Sequence, residues 1–517
     1  MTTTSRPAIS TVRSTRALVA SVIPIYQSRR PRSAHELLAA KPMPDRALSW
    51  VVTLVVTGVA GFLRLWAVGF PGQKIFDEVY YPANANELLR QGYESNPGHL
   101  FVVHPPLGKW CIAAGIELFG DNSLGWRFPA AVAGTISVLI LIRVTRRMTG
   151  STLLGGIAGM LLALDGLSVV MSRTSLLDIF LQPFILGGFA ALVVDRDQVR
   201  ARLAEAVVDG PLGTRLGPRL GPRPWRLIAG VLLGASCSVK WSGVYFLAGF
   251  AVLSVLWDRD ARRSAGVRRA NSGAFLRDVP AAVVALVAVP IGTYLLTWTG
   301  WFLGSNGYDR HWADDHPGGR WSFLPSAVRS LLHYHQEMLK FHDGLSSYHP
   351  YRSQPWAWLI DARPVNFYYP KNVTGCGSES CVRQIVALGT PAIWWAFLPT
   401  VLWMLWLVFS RRDWRALVVL TAFAAGWGTW LINTDRTMFF FYMTPLVPFL
   451  IIGVVLVLGQ ILGAAAAGER RRTVGLIVLC VYLALVVINF AWLWPILSGQ
   501  KISYSAWHAR MWFSSWI

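Results

Sequence analysis

Two adjacent carboxylates, Asp77 and Glu78, follow shortly after the first long apolar segment of the chain. Acidic residues are sparse in this protein, with 27 Asp and Glu against 48 Lys and Arg. A carboxylate within hydrogen-bond reach of a hydroxyl can accept its proton during a reaction. The pair therefore indicates a proton-handling catalytic centre, and the simpler alternative is an interfacial turn or a salt bridge to Lys74 or Arg127.

Four cations are predicted to share one depth at the outer edge of a membrane: Arg127, Arg173, Lys240 and Arg436. Each alone is explained by interfacial anchoring, because long basic side chains extend toward the polar boundary. Together with the acidic pair they suit a cationic seat for a lipid phosphate. Arg64 lies inside the first apolar segment, where an ionisable group is costly and usually paired or functional. We expect Arg64 to extend outward to the acidic pair.

Histidines and aromatic residues gather in two segments that are predicted to lie outside the membrane. These segments contribute His104 from the first, and His342, His349, Trp356 and Tyr368 from the second. Aromatic rings beside hydrogen-bonding groups suit a sugar, whose apolar face stacks on rings, and equally suit a lipid headgroup interface. His335 and His342 share a helical face, but no Asp or Glu completes an established metal-ligand spacing. No metal site is therefore assigned, and metal dependence stays open.

Membrane-spanning helices must position these residues. Hydrophobic residues make up 54% of the 517 positions, a composition that excludes an ordinary soluble enzyme. A bilayer core requires about 20 apolar residues per helix and tolerates no unpaired backbone group, so every span is expected to be helical. Eleven spans are predicted, near residues 49–68, 126–143, 152–171, 177–194, 226–239, 241–257, 280–302, 386–409, 415–432, 437–461 and 474–496. The fifth and sixth form either a tight pair of helices or one bent helix.

The distribution of Lys and Arg sets the predicted orientation, because basic residues are retained on the cytoplasmic side. The N-terminus is expected in the cytoplasm and the C-terminus outside, with the chain in the plasma membrane. The predicted parts are a disordered basic tail (1–48), a transmembrane catalytic domain (49–497) with two large outward segments (69–125 and 303–385), and an outward C-terminal tail (498–517). The net charge of +21 follows from this topology and from contact with membrane lipids, so no nucleic-acid partner is predicted.

Cysteine usage agrees with an outward location for the second large segment. Cys376 and Cys381 lie there, where an oxidising compartment permits a small disulfide-closed loop. The other three cysteines, Cys111, Cys237 and Cys480, fall in apolar helical surroundings and are interpreted as packing residues.

Five motifs occur in order along the chain: Phe76-Asp77-Glu78-Val79-Tyr80-Tyr81, His104-Pro105-Pro106-Leu107-Gly108-Lys109, Trp126-Arg127-Phe128-Pro129, Ser172-Arg173 with Leu177-Asp178, and the segment from Glu337 to Tyr369. In combination they resemble the protein O-mannosyltransferase family, specifically its actinobacterial members. The resemblance implies an all-α polytopic fold of the GT-C type. It also implies mannose transfer from polyprenyl-phosphate-mannose to Ser or Thr hydroxyls of secreted or membrane proteins, outside the membrane and with inversion at the anomeric carbon.

The resemblance assigns roles to individual positions. Asp77 matches the catalytic base, with Glu78 beside it, while Arg127 and neighbouring cations match contacts to the donor phosphate. No cofactor is implied besides the donor itself, and positioned Arg or Lys groups can stabilise a departing phosphate without a metal ion. The resemblance also suggests contact with the protein secretion channel, without a residue that can be tied to it.

Two other functions stay open at this point. One is a GT-C enzyme that glycosylates a lipid or a cell-wall polysaccharide, and the other is a lipid or sugar transporter.

The outward segment 303–385 is too short for the β-trefoil domain that eukaryotic relatives carry. Peptide capture by such a domain is therefore not expected here.

Overall fold

The computed structural model describes residues 33–39, 43, 45–95, 103–208, 214–319, 321–463 and 468–517. Most of the predicted basic tail, residues 1–32, lies outside the described residues. The described α-helices of the first half are α1 (Ala34–Leu38), α2 (Arg46–Leu65), α3 (Tyr81–Gln91), α4 (Leu107–Phe119), α5 (Ser123–Thr149), α6 (Thr152–Ala163), α7 (Gly166–Met171), α8 (Leu177–Val208), α9 (Pro224–Val239) and α10 (Gly243–Ser264).

The second half continues with α11 (Ala270–Thr297), α12 (Thr299–Leu303), α13 (Trp312–Asp315), α14 (Ser326–Gly344), α15 (Pro355–Trp358), α16 (Pro391–Arg411), α17 (Trp414–Gly426), α18 (Val447–Leu462), α19 (Glu469–Ser498) and α20 (Tyr504–His508). Four short strands are β1 (Val365–Tyr368), β2 (Cys381–Arg383), β3 (Ile385–Ala387) and β4 (Lys501–Ser503).

Six of the described helices are long and apolar enough to cross a membrane, namely α2, α5, α8, α11, α16 and α19. Three shorter apolar helices, α6, α9 and α18, accompany them. Each of the eleven predicted spans overlaps a helix. The prediction of a mainly helical, multi-pass membrane protein is thereby confirmed.

Helix α8 lies at the centre of the bundle and contacts α5, α9 and α10. Its most apolar stretch is 72% buried within the protein, whereas that of α11 is 22% buried. A helix that is apolar on all sides needs an apolar environment throughout. Protein supplies that environment to α8, and lipid is expected to supply it to the open sides of α11.

One predicted span differs in detail from the structure, and an alternative that the sequence left open is decided by it. The span 152–171 is not one helix, because α6 ends before Asp165 and this residue then caps α7 by accepting a hydrogen bond from the Ser168 amide at 2.8 Å. The segment 226–257 is a pair of helices and not one bent helix. Lys240 adopts an extended backbone at the end of α9, and this conformation separates α9 from α10.

The first outward segment is held against the bundle by a close helix contact. Helix α4 packs along α5, where Gly115 approaches the Gly125 carbonyl so closely that a Cβ atom on Gly115 would lie 2.2 Å from that oxygen. Only glycine permits this approach. The contact fixes the segment that contains Asp77 relative to the start of α5, where Arg127 lies.

The strands correct the expectation of an all-α fold. Antiparallel β1 and β3 pair within the second outward segment, and β2 pairs with β4 so that Cys381 lies opposite Ser503. Each strand has only three or four residues, too few to produce a readable alternation in the sequence. The predicted disulfide between Cys376 and Cys381 is confirmed, and the C-terminal tail packs through the buried residues Trp507 and Trp516.

Candidate active site

Glu78 and Arg127 form a fully buried ion pair at the base of the site. The Arg127 guanidinium donates to both Glu78 carboxylate oxygens, at 2.7 and 2.6 Å, and also to the Pro71 and Gln73 carbonyls. Glu78 additionally accepts hydrogen bonds from the backbone amides of Ile75 and Ser175. The pair thus fastens the turn 71–78 to α5 and to the start of α8, and it uses both Glu78 oxygens in doing so.

Asp77 is next in sequence to Glu78 but has a different environment. It is half-buried, and no side chain among the described residues forms a hydrogen bond or an ion pair with its carboxylate. Burial raises the pKa of Asp77 to about 6; Lys240 opposes this rise and Asp178 adds to it. An unpartnered carboxylate of raised basicity has the properties that a general base requires.

Phe76 sets the direction of Asp77. Its backbone φ of 51° lies in the left-handed region, which is uncommon for an aromatic residue and requires support from its surroundings. Aromatic rings provide that support, since the Phe76 ring lies 5.1 Å from Phe367, 5.4 Å from Phe439 and 5.7 Å from His349. We call this group the Phe76 cluster. It holds the turn in the conformation that leaves the Asp77 carboxylate unpartnered.

Lys240 brings a cation to the same region from the junction of α9 and α10. Its Nζ lies 3.0 Å from both carboxylate oxygens of Asp178 and 4.4 Å from the centre of the Tyr442 ring. Lys240 acts to lower the pKa of Asp77, and Asp178 acts to raise it. Asp178 thereby orients a lysine that faces the site.

Arg436 and two histidines form the opposite wall. His342 Nε2 lies 2.8 Å from the Val103 carbonyl, so Nε2 carries the proton, and His342 Nδ1 then accepts from Arg436 Nη2 at 3.3 Å. Arg436 Nε also donates to the His342 carbonyl, while Arg436 Nη1 is buried and has no partner among the described residues. Burial, with help from Arg436 and Lys240, lowers the pKa of His342 to about 4, so this imidazole is neutral at pH 7.

A cleft of about 270 Å³ lies between Lys240 and the wall formed by Arg436 and the two histidines, and Asp77 is not among its lining residues. Its polar lining includes His104, Lys240, His342 and Arg436, and its aromatic lining includes Trp241, Tyr245 and Trp430. The rings of His104 and His342 are 4.9 Å apart, and burial keeps the pKa of His104 well below its ordinary value. With both imidazoles neutral, Lys240 and Arg436 are the cations among the described residues that line the cleft, and Asp343 is the acidic one.

A buried ion pair beneath the cleft holds His104 in place. Lys109 Nζ lies 2.5 Å from Glu94 and donates to the His104 carbonyl at 2.9 Å. The positioning roles of Lys109, Glu94 and Asp178 were missed from the sequence. Lys109 and Asp178 both stand within recognisable motifs, and that was the one available signal for them.

Two predicted donor-binding arginines have their hydrogen bonds elsewhere. Arg64 donates to the Ser168 and Ser172 hydroxyls and to the Leu162 carbonyl, all within the bundle. Among the described contacts of Arg64 none goes to Asp77 or Glu78, which corrects the expectation that it extends to the acidic pair. Arg173 donates to the backbone carbonyls at the end of α2, at residues 63, 66 and 67.

The remaining predicted sugar or acceptor residues are not all brought together. His349 belongs to the Phe76 cluster, and Tyr368 stacks edge-on against Phe70 at 5.6 Å. Trp356 is 60% exposed and has no ring contact with the cluster among the described residues. Within the described ranges no three potential ligands gather as a metal site, and the Trp241 indole lies between His335 and His342.

Two family models match the chain. Residues 119–302 match the model described as dolichyl-phosphate-mannose-protein mannosyltransferase, and residues 327–516 match the C-terminal four-TMM region of protein-O-mannosyltransferase. A curated relative from Mycobacterium tuberculosis, polyprenol-phosphate-mannose–protein mannosyltransferase, is 45% identical over 484 residues, which cover 91% of this chain and 92% of the relative. The protein of the same name from Corynebacterium glutamicum is 38% identical, covering 90% and 93%.

A solved structure shares the fold. The Saccharomyces cerevisiae protein O-mannosyltransferase Pmt1-Pmt2 complex bound to the sugar donor superimposes with a TM-score of 0.72 at 16% identity, covering 91% of this chain and 93% of that one. The fold and the matches together define a membrane-embedded glycosyltransferase. More specifically, the chain belongs to the protein O-mannosyltransferase family. The predicted enzyme class, a polyprenyl-phosphate-mannose-dependent protein mannosyltransferase, is confirmed in preference to a transporter.

Proposed function

We propose that this chain transfers mannose from polyprenyl-phosphate-mannose to Ser or Thr hydroxyls of proteins on the extracytoplasmic side of the plasma membrane, with inversion at the anomeric carbon. The observation that carries the proposal is the contrast between two neighbouring carboxylates. Both oxygens of Glu78 are used in a buried ion pair with Arg127, whereas the Asp77 carboxylate has no partner among the described residues and is influenced by the nearby Lys240–Asp178 pair.

Asp77 is the general base in this proposal. A hydroxyl that attacks the anomeric carbon becomes strongly acidic as the new bond forms, and a carboxylate within hydrogen-bond reach then accepts its proton. Because burial raises the pKa of Asp77 to about 6, the group is mostly ionised at pH 7 and more basic than an ordinary aspartate. Glu78 acts indirectly by fixing the turn on which Asp77 stands.

Lys240 and Arg436 receive the departing phosphate. Negative charge builds on the phosphate oxygens as the bond to mannose breaks, and preorganised donors in a partly dry site stabilise that charge. Lys240 is oriented by Asp178, and Arg436 is oriented by the His342 ring while Nη1 keeps an unused N–H group. The sequence predicted a larger set of cations for the phosphate. In this proposal Lys240 and Arg436 contact the phosphate, whereas Arg127, Arg173 and Arg64 stabilise the structure around the site.

The sugar and the acceptor are assigned to the aromatic side. The Phe76 cluster, with His349, presents apolar ring surface next to Asp77, and such surface suits the apolar face of a hexose. His104 and His342 are assigned to the phosphate side, and Tyr368 and Trp356 to the path along which an acceptor peptide approaches. Contact with the secretion channel stays a prediction from the family resemblance.

The proposed topology places this site outside and the basic loops inside, with eleven spans, a cytoplasmic N-terminus and an outward C-terminus. Two observations support it. The large segments that build the site and the confirmed disulfide share one end of the bundle, and disulfides persist in oxidising compartments. The Arg-rich connection between α16 and α17 lies at the other end, as the retention of basic residues in the cytoplasm requires.

Transfer of labelled mannose from synthetic polyprenyl-phosphate-mannose to a Ser/Thr-rich peptide tests the function. We expect Asp77→Asn to reduce the transfer rate by about 10²–10⁴-fold, the usual effect of losing a general base. Glu117→Gln is the matched control, since Glu117 is an exposed carboxylate on α4, and it is expected to keep full activity. Equal activity of wild type and a folded Asp77→Asn protein would remove Asp77 from its role. Transfer to a lipid or polysaccharide but not to the peptide would contradict the assigned acceptor.

A further inference from the structure

A second polar cavity lies at the end of the bundle opposite the active site. Its volume is about 480 Å³, and its walls are the ends of α5 and α8, the connection between α16 and α17, and the segment of α1. Arg127 and Arg147 lie on the same helix, α5, and its rise of 1.5 Å per residue separates them by about 30 Å. This distance equals the thickness of a bilayer core. The cavity therefore opens at the other membrane surface.

The described residues that line the cavity carry a net positive charge, and Arg200 also pairs with Asp260 at 3.7 Å. Six arginines line it against two aspartates, which gives a net charge of +4: Arg147, Arg196, Arg200, Arg411, Arg412 and Arg415, with Asp197 and Asp413. Asp197 is shared between Arg147 at 2.7 Å and Arg196 at 3.2 Å, and Asp413 pairs with Arg415 at 2.6 Å. Arg411 and Arg412 are exposed and have no acidic partner among the described residues.

The backbone directs these two arginines to the cavity mouth. Arg412 has a φ of 50° and terminates α16 in the left-handed region, so the chain turns sharply there into Asp413 and α17. A non-glycine residue in this conformation is uncommon and needs the surrounding structure to hold it. The neighbouring Asp413 supplies that support by capping α17 through the Arg415 amide at 3.0 Å. Two adjacent guanidinium groups are thus presented at the membrane surface.

Apolar side chains complete the lining. The Arg196 guanidinium stacks on Trp414 at 3.8 Å, and Leu37, Met43 and Met148 contribute apolar wall. A free anion would gain nothing from these side chains, whereas an amphiphile places its phosphate among the arginines and its first glycerol and acyl carbons against the apolar wall. Basic pockets between membrane helices on the cytoplasmic side suit anionic headgroups for this reason.

We propose that this cavity binds the phosphate group of an anionic phospholipid from the membrane leaflet at that surface. Arg411 and Arg412 contact the phosphate, and the wall formed by Trp414 and Met148 contacts the glycerol and acyl chains. Helix α1 forms part of the cavity wall, and Arg200, which also lines the cavity, donates a hydrogen bond to the Leu37 carbonyl of α1. A lipid bound in the cavity therefore also contacts α1 and stabilises its position. The site is independent of the mannose-transfer centre and does not rest on its assignment.

Native mass spectrometry of the full-length, delipidated protein in detergent tests the site. The probes are phosphatidylglycerol, phosphatidylcholine and inorganic phosphate. The variant Arg411→Gln/Arg412→Gln removes two arginines that each strengthen binding to an anionic lipid. We expect its dissociation constant for phosphatidylglycerol to be about 30-fold higher than that of the wild type. The matched control is Arg470→Gln/Arg471→Gln, which removes two exposed arginines at the start of α19, at the same surface, and is expected to leave the constant unchanged.

Three outcomes would overturn the proposal. Equal weakening in both double variants would attribute binding to general surface charge. Equal affinity of the wild type for phosphatidylcholine and phosphatidylglycerol would exclude recognition of an anionic headgroup. Complete displacement of phosphatidylglycerol by millimolar inorganic phosphate would assign the cavity to a soluble phosphate compound. Both variants alter exposed side chains, and a single symmetric elution peak for each confirms that folding is retained.

Discussion

The candidate active site and the arginine–aspartate network between α8, α9 and α10 differ in whether their carboxylates are paired with arginines. In the network, Arg223 and Arg226 share Asp195 and Asp258, and each of the four carboxylate oxygens accepts at least one hydrogen bond, although Arg226 Nη1 has no partner among the described residues. In the candidate active site, by contrast, the Asp77 carboxylate accepts no side-chain hydrogen bond within the described structure. Paired charges hold helices together, while unpaired ones are available to a substrate.

Breaking the network is expected to have the largest effect, and on stability only. Asp258→Ala leaves two buried arginines with one carboxylate between them, which costs about 3–5 kcal/mol when a buried pair loses a partner. Thermal unfolding of the purified protein measures this loss, with the exposed neighbour Asp260→Ala as the control. Transfer activity per folded molecule should be unchanged. A specific loss of activity at unchanged stability would show that the comparison is mistaken.

Removing the Arg436 guanidinium from the cleft should lower activity and leave stability unchanged. Arg436→Gln is expected to reduce kcat by about 10²–10³-fold, the usual result of deleting one preorganised donor to a developing anion. The exposed Arg352→Gln, on the same side of the membrane, serves as the control. Steady-state kinetics with varied donor concentration measures the change. If only KM rose, Arg436 would bind the donor equally in the ground and transition states.

The rate should also depend on pH through Asp77. Because burial raises its pKa to about 6, the ionised fraction falls about tenfold between pH 7 and pH 5, and the rate is expected to fall with it. The donor phosphodiester stays ionised throughout this range and does not contribute. Initial rates between pH 5 and pH 8 measure the profile. A flat profile, or one that falls only near pH 4, would place Asp77 in an ordinary solvated environment.

The smallest expected effect is the decrease in folding stability that ionisation of the Asp77 carboxyl group causes. A carboxyl group with a raised pKa binds its proton more tightly in the folded state, so its ionisation lowers stability as the pH rises from about 4 to about 6. Asp77→Asn should therefore raise the midpoint of thermal unfolding at pH 7.5 by about 1–2 °C and have less effect at pH 4.5. The exposed Glu117→Gln change should show no such difference. A destabilising Asp77→Asn would indicate that the carboxylate has a structural partner.

The sequence predicted the class, the helices and the principal carboxylate because these depend on local or near-local patterns. Long apolar segments indicate spans by themselves, and Asp77 stands in a motif of consecutive residues. The arginines were harder to assign. Arg64 was interpreted as a costly group inside a span, and Arg127 and Arg173 as cations at the outer boundary. The oxygen atoms that these arginines contact come from residues distant in the chain, such as Ser168 for Arg64 and Glu78 for Arg127.

The same reasoning explains what was missed in the fold. The break at Asp165 depends on the indole N–H of Trp394, which donates to its carboxylate at 2.7 Å from another helix. An apolar segment carries no sign of such a partner, so 152–171 was predicted as one span. The strands β2 and β4 likewise gain their structure from each other, across four intervening helices.

The pairing of β2 with β4 also sets an order for the synthesis of the enzyme. Strand β2 and the disulfide loop are synthesised before the four helices α16 to α19, but their partner strand follows α19. Two hydrogen bonds also depend on residues after α19: the Trp507 indole donates to Gln384, and Arg363 donates to the Ser515 carbonyl. These contacts therefore form only after α19 and the segment that follows it have been synthesised. A nascent chain that stalls before this point leaves β2, Gln384 and Arg363 without these partners, so a single late segment completes contacts across the second outward segment.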